Sequence, residues 1–186
     1  VAEALRLAKN NFGPRTDVVF YLGDPALMLD IPKPMITLTK INDMPLSGPT
    51  DSLKSLSYVK FAGEVIDENF SLLPNYSGDL SIQIFDKDIT RNTLNNDKNS
   101  TPISFITLGE TIFRGNATIL NGKFEFGFVV PRDIAIPLGN GKISFYGKRN
   151  QILLDKTGYN TTIKVGGINE NAKSDTSAPK VKLYMN

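Results

Sequence analysis

From Met35 onward apolar and polar residues alternate in short runs, the two-residue period of a strand with one buried face. In Met35-Ile36-Thr37-Leu38-Thr39, Ile36 and Leu38 fall on one face and the threonines on the other. Leu80-Ser81-Ile82-Gln83-Ile84 and Phe124-Glu125-Phe126-Gly127-Phe128-Val129-Val130 repeat the alternation. The pattern predicts strands over 35–40, 57–61, 80–85, 103–107, 116–120, 124–130, 142–146, 161–165 and 180–185. Asn121-Gly122 stands between two of them, and its tolerance of positive φ suits the type I′ turn of a β-hairpin. Asn140-Gly141 is a second turn signal. Irregularly spaced strands of this kind predict a mainly β fold, an immunoglobulin-like antiparallel β-sandwich without the Cys pair and core Trp of antibody domains. Phe124, Phe126 and Phe128, at period two, are expected in its core rather than as an exposed stripe.

The first 34 residues follow another grammar. Ala2, Leu5, Ala8 and Ala4, Leu7 recur at three- and four-residue spacing, which predicts a helix over 2–8 that Asn10-Asn11 and Gly13-Pro14 bring to a close. Val18-Val19-Phe20-Tyr21-Leu22 is continuously apolar, the pattern of a strand buried on both faces of a parallel sheet. Gly23, Asp24 and Pro25 then form a structural turn: Gly for a strained φ, Asp to cap local amides, Pro to prevent continuation. Residues 26–31 read as a further extended piece, and Pro32 and Pro34 as a linker. The division predicted is 1–34, a helix and strand from the end of an α/β domain, and 35–186, the sandwich. One such helix–strand unit closes no core. The rest of its sheet is expected before Val1, and a chain with no signal peptide at its start and a strand-like Tyr184-Met185-Asn186 at its end is expected to be a piece of a longer protein.

Composition narrows the chemistry. The 186 residues include no Cys, His or Trp. Thiolate and imidazole catalysis, Cys-ligated zinc and HExxH sites are therefore absent from this chain. With 21 Lys+Arg against 19 Asp+Glu, and no basic cluster, a nucleic-acid backbone is a poor partner. The longest apolar runs fall far short of the roughly 20 residues of a membrane-spanning helix. Asp86, Asp88 and Asp97 lie with Asn95, Asn96 and Asn99 in one polar stretch, and such hard oxygens are what calcium takes as ligands. The spacing is not that of an EF-hand, so a solvated loop is the preferred reading and no cofactor is expected. Asp175-Thr176-Ser177 reads as linker, Gly139-Asn140-Gly141 as a turn, and the Asn-X-Ser/Thr triplets at Asn69, Asn75, Asn99, Asn116 and Asn160 as chance matches in an Asn-rich chain.

The run from Phe20 through Gly23-Asp24-Pro25 to Leu29, preceded by a helix and followed by a sandwich, resembles the end of the caspase-like α/β domain in gingipain-type cysteine peptidases. Within the sandwich, Phe61-Ala62-Gly63-Glu64-Val65-Ile66-Asp67, Tyr76-Ser77-Gly78-Asp79-Leu80, Phe113-Arg114-Gly115, Asn121-Gly122-Lys123-Phe124, Pro131-Arg132-Asp133-Ile134, Gly141-Lys142-Ile143-Ser144-Phe145-Tyr146, Val165-Gly166-Gly167 and the residues from Pro179 to Asn186 resemble the sortase branch of that family. That branch belongs to the type IX secretion system of Bacteroidetes. The resemblance implies a parent that is a cysteine endopeptidase and transpeptidase on the surface of a Gram-negative outer membrane, exported through the periplasm. It would remove C-terminal sorting domains from secreted cargo, which is then linked to an anionic lipopolysaccharide. Its Cys and His would lie upstream of Val1, so no catalytic residue maps here. Implied partners are the upstream peptidase domain, the cargo sorting domains and a PorV-like outer-membrane protein. A carbohydrate- or adhesin-type binding module, with the loop over 86–101 holding ligand, and a segment of an ordinary gingipain-like secreted peptidase are the alternatives.

Overall fold

A computed structural model describes residues 2–12, 34–96, 98, 101–149, 154–172 and 182. The chain divides into two compact units, Val1–Pro32 and Lys33–Asn186. The expected strand over 18–22, the turn Gly23-Asp24-Pro25, the piece over 26–31 and the last strand over 180–185 lie outside the described residues, save for Lys182 alone, which is exposed and not in a strand.

In the first unit, helix α1 spans Ala2–Phe12, four residues further than the sequence pattern predicts. Two asparagines lower helix propensity by only a few tenths of a kcal/mol each and do not break the last turn. Glu3 in the first turn and Lys9 in the last match the helix dipole. Arg6 donates through Nε and Nη2 to the Glu3 carboxylate at 2.7 and 2.5 Å, one turn apart and exposed.

The described residues of the second unit form thirteen strands: β1 (Ile36–Ile41), β2 (Met44–Pro45), β3 (Leu53–Ser55), β4 (Tyr58–Val65), β5 (Gly78–Phe85), β6 (Ile89–Asn92), β7 (Ser104–Thr107), β8 (Thr111–Ile119), β9 (Lys123–Val129), β10 (Gly139–Asn140), β11 (Lys142–Arg149), β12 (Lys156–Asn160) and β13 (Lys164–Ile168). Two four-stranded antiparallel sheets, β12-β11-β5-β8 and β2-β1-β4-β9, form the sandwich. Strands β10-β13-β3 form a small third sheet, in which β13 and β3 run parallel, and β6-β7 form a separate two-stranded arm.

Alternation makes the core. Ile36, Leu38 and Ile41 of β1 and Val59, Phe61 and Val65 of β4 are buried on one sheet, and Leu80, Ile82, Ile84, Ile143 and Phe145 on the other. Each contributes about 1.5–3 kcal/mol of apolar burial. Phe124 and Phe128 are buried and Phe126 is packed against the core, as their period predicts. The rings bridge the layers: Phe128 stacks on Phe113 of the opposite sheet at 4.4 Å, and Phe124 tilts against Phe145 at 5.3 Å. At one side the sandwich is drawn together where the Met35 amide donates to the Thr157 carbonyl at 2.7 Å.

Asn121-Gly122 is a two-residue turn with both φ angles positive, 52° and 77°, and reciprocal hydrogen bonds join Leu120 and Lys123 at 2.8 and 3.0 Å. It does not, however, join a hairpin within one sheet. Beyond the turn β8 pairs with β5 and β9 with β4, so the chain crosses from one layer to the other. The turn is held from both layers: the Gly122 amide donates to the carbonyl of Tyr76, two residues ahead of β5, and the Gly122 carbonyl accepts from the amide of Val65 at the end of β4, each at 2.7 Å.

Three other expectations are corrected. The stretch 139–141 is extended rather than turned: Gly139 and Asn140 pair with β13, and the Gly141 amide donates to Ile163 at 2.9 Å. The strand expected over 161–165 begins at Lys164, because Asn160 Oδ1 caps the Thr162 amide at 2.8 Å and turns the chain there. The polar stretch after Asp86 holds β6, whose residues gain backbone partners only from β7 some 15 residues later.

Candidate functional site

Asp86 stands where β5 leaves its sheet. Its amide donates to the Glu110 carbonyl at 2.8 Å, which fixes the residue against the approach to β8. The residue is 8% exposed, and both carboxylate oxygens are engaged. Oδ1 accepts from the Lys87 amide at 2.7 Å and lies 2.6 Å from Lys87 Nζ, while Oδ2 accepts from the Ala135 amide at 3.0 Å. Lys87 Nζ also donates to the carbonyls of Ala135, at 2.9 Å, and Val165, at 3.2 Å. One ion pair thus ties together the end of β5, the segment after β9 and strand β13. Burial pushes the Asp86 carboxyl up, but the Lys87 ammonium and the amides of Ala135 and Lys87 outweigh it and hold the group below its ordinary range.

Around this knot lies a pocket of about 700 Å³. Ile89, Ile112, Pro131 and Ile134 supply apolar wall, and Asp88, Glu110 and Asp133 are among the lining residues, their carboxylates without an ion-pair or hydrogen-bond partner among the described residues. Of the residues proposed for calcium, Asp86 is therefore spent on Lys87 and two amides, Asp88 is exposed at the pocket, and Asp97 lies outside the described residues. Among the described residues no group of three or more acidic side chains is placed to hold a metal ion. Gly23, Asp24 and Pro25 also lie outside the described residues.

Lys87, Glu110 and Asp133 are pocket residues that the sequence pattern does not single out. Asp86 and Ala135 are 49 residues apart, and nothing local in either segment announces the other. The one available signal is the Asp86-Lys87-Asp88 charge alternation at the end of an apolar strand, where a buried end forces a charged residue to find partners.

No family model and no curated protein sequence matches the chain. Among solved structures, dimeric latent PorU from Porphyromonas gingivalis shares its fold at a TM-score of 0.65 and 25% identity, over 81% of this chain and 14% of that one. Spo0M, a sporulation control protein from Bacillus subtilis, aligns at a TM-score of 0.38 and 18% identity, over 71% of this chain and 48% of that one, too distantly to carry the fold across. The chain spans about one-seventh of the PorU chain it matches. With a mostly β sandwich and this shared fold over 81% of its length, the chain is a PorU-like fragment.

Proposed function

We propose that this chain is the non-catalytic sandwich segment of a PorU-like sortase, a gingipain-family cysteine peptidase that removes C-terminal sorting signals from type IX secretion cargo and supports its attachment to the cell surface. The observation that carries the reading is the shared fold with PorU over 81% of the chain. The absence of Cys and His places the nucleophile and base of such an enzyme outside these residues. In this reading the sandwich braces the peptidase domain and presents a surface to cargo or to a PorV-like protein at the outer membrane.

In-frame deletion of the codons for residues 35–172 in the host tests the reading. The expected outcome is secreted cargo that keeps its C-terminal sorting domain, read by mass spectrometry of the membrane fraction. Fully processed cargo in the deletion strain would sink the proposal. The purified chain is expected to cleave no peptide, with or without thiol reagents.

A further inference from the structure

The pocket beside the Asp86–Lys87 pair has a chemistry of its own, which stands apart from the sortase reading. Once Lys87 is committed to Asp86 and two carbonyls, the charges left facing the pocket are all negative: Asp88, Glu110 and Asp133. They do so in a chain whose formal charge is +2. Unpaired carboxylates of one sign around a low-dielectric wall focus a negative potential into the space between them. Ile89, Ile112, Ile134 and Pro131 are its apolar lining, and two exposed isoleucines stand beside lining residues. Ile106, opposite Thr90 of the lining, is 72% exposed, and Ile136, next to Ala135 of the lining, is 58% exposed.

We infer that this pocket is a docking site for a basic side chain, arginine or lysine, on an extended polypeptide with apolar residues beside it. Such a side chain is amphipathic in the order the pocket requires: a methylene stem lies along Ile112 and Ile134, and the cationic head meets Glu110 and Asp133. Apolar neighbours in the peptide rest on Ile106 and Ile136. A volume of about 700 Å³ is in the range of pockets that hold a drug-sized ligand and is ample for one arginine or lysine side chain. The Asp86–Lys87 pair holds the walls in place and leaves the outer carboxylates to the ligand. A bare divalent ion fits less well, because among the described residues no group of three or more acidic side chains is placed to hold one.

Fluorescence anisotropy with the full 186-residue chain tests the site, using a labelled acetyl-Val-Thr-Arg-Val-Thr-amide peptide and its twin with neutral citrulline in place of arginine. The arginine peptide is expected to bind, more weakly as salt rises, and the citrulline twin to bind at least about tenfold more weakly. The Glu110→Gln/Asp133→Asn double variant is expected to lose about tenfold for the arginine peptide while keeping its melting temperature, since both residues are exposed and their side chains have no partner among the described residues. Equal binding of the two peptides, binding of neither, or an unaltered affinity in the double variant overturns the proposal. A rise in melting temperature with calcium chloride alone, with no arginine-peptide binding, assigns the pocket to a metal ion and overturns it too.

Discussion

The phenol oxygen of Tyr76 lies 2.9 Å from the carbonyl oxygen of Gly147, on a strand 71 residues away in the chain. The Leu154 carbonyl approaches the same hydroxyl at 3.0 Å, and the Arg149 guanidinium lies 5.9 Å from the centre of the ring. Tyr76 is 3% exposed, so these partners replace water. Tyr76→Phe keeps the ring and its cation contact and removes only the donor, which is expected to cost about 1–2 kcal/mol, read as a lower urea midpoint at unchanged slope. Burial, followed by the charge of Asp155, pushes the Tyr76 phenol up. That contribution to stability is therefore complete below the ordinary phenol value, about pH 10, and is lost as pH rises through the folded value. The phenylalanine variant is expected to lack this alkaline loss.

Gly63 of β4 lies against Phe124 of β9, its partner across the strand pair. A methyl group on Gly63 would overlap the Phe124 ring and the Thr37 carbonyl. The ring can shift, whereas the carbonyl belongs to the β1–β4 ladder and cannot. Gly63→Ala is therefore expected to destabilise by about 1–3 kcal/mol. In a Phe124→Leu background the same substitution is expected to cost less, by about 0.5 kcal/mol or more, because the smaller side chain frees one of the two obstructions. Strict additivity of the two changes would show that the ring is not what excludes the methyl group.

What was legible in the sequence was what is local. Ile36 and Leu38, Leu80, Ile82 and Ile84, and the Phe124 series alternate within single strands, and their buried faces were readable before any partner was known. β12 was not, since Lys156-Thr157-Gly158-Tyr159-Asn160 buries only Gly158 and becomes a strand through its pairing with β11. The turn chemistry of Asn121-Gly122 was readable, but the divergence of its two strands was not, because Tyr76 and Val65 enforce it from far away in sequence. At the candidate site the Asp86-Lys87-Asp88 charges stood out in the sequence, while the distant groups that fix the Asp86–Lys87 pair, the Ala135 amide and the carbonyls of Ala135 and Val165, are brought to it only by the fold.

The β6–β7 arm is expected to open far more readily than the sheets. Its strands pair with each other alone, and every residue of β6 and β7 is exposed or half-exposed. By contrast β5 is paired on both sides, with β8 and β11, and buries Leu80, Ile82 and Ile84 completely or nearly so. Amide hydrogen exchange in Ile89–Asn92 and Ser104–Thr107 is therefore expected to outpace that in β5 by at least about a hundredfold. Comparable protection in the two would mean that the arm is held by something other than its own hairpin pairing.

Asp86 gives the sandwich an acid-sensitive tie. Burial raises the carboxyl, but the Lys87 ammonium, the Ala135 amide and the Lys87 amide lower it further, so its folded value lies below the unfolded one. A depressed carboxyl contributes stability that is present above the unfolded value, about pH 4, and is lost as pH falls through the folded value. Asp86→Asn removes that titration and leaves the Lys87 ammonium without its counter-charge at 2.6 Å. At neutral pH the variant is expected to be less stable by about 1–3 kcal/mol. As pH falls from about 5 to about 2 the wild-type chain is expected to lose this advantage, so that the two urea midpoints converge. Asp88, Glu110 and Asp133, the other carboxylates of the pocket, are present in both proteins and cancel from the difference. A gap between wild type and variant that stays constant across this range would mean that Asp86 supports the fold by shape alone, and that its ion pair with Lys87 adds nothing that a neutral amide does not.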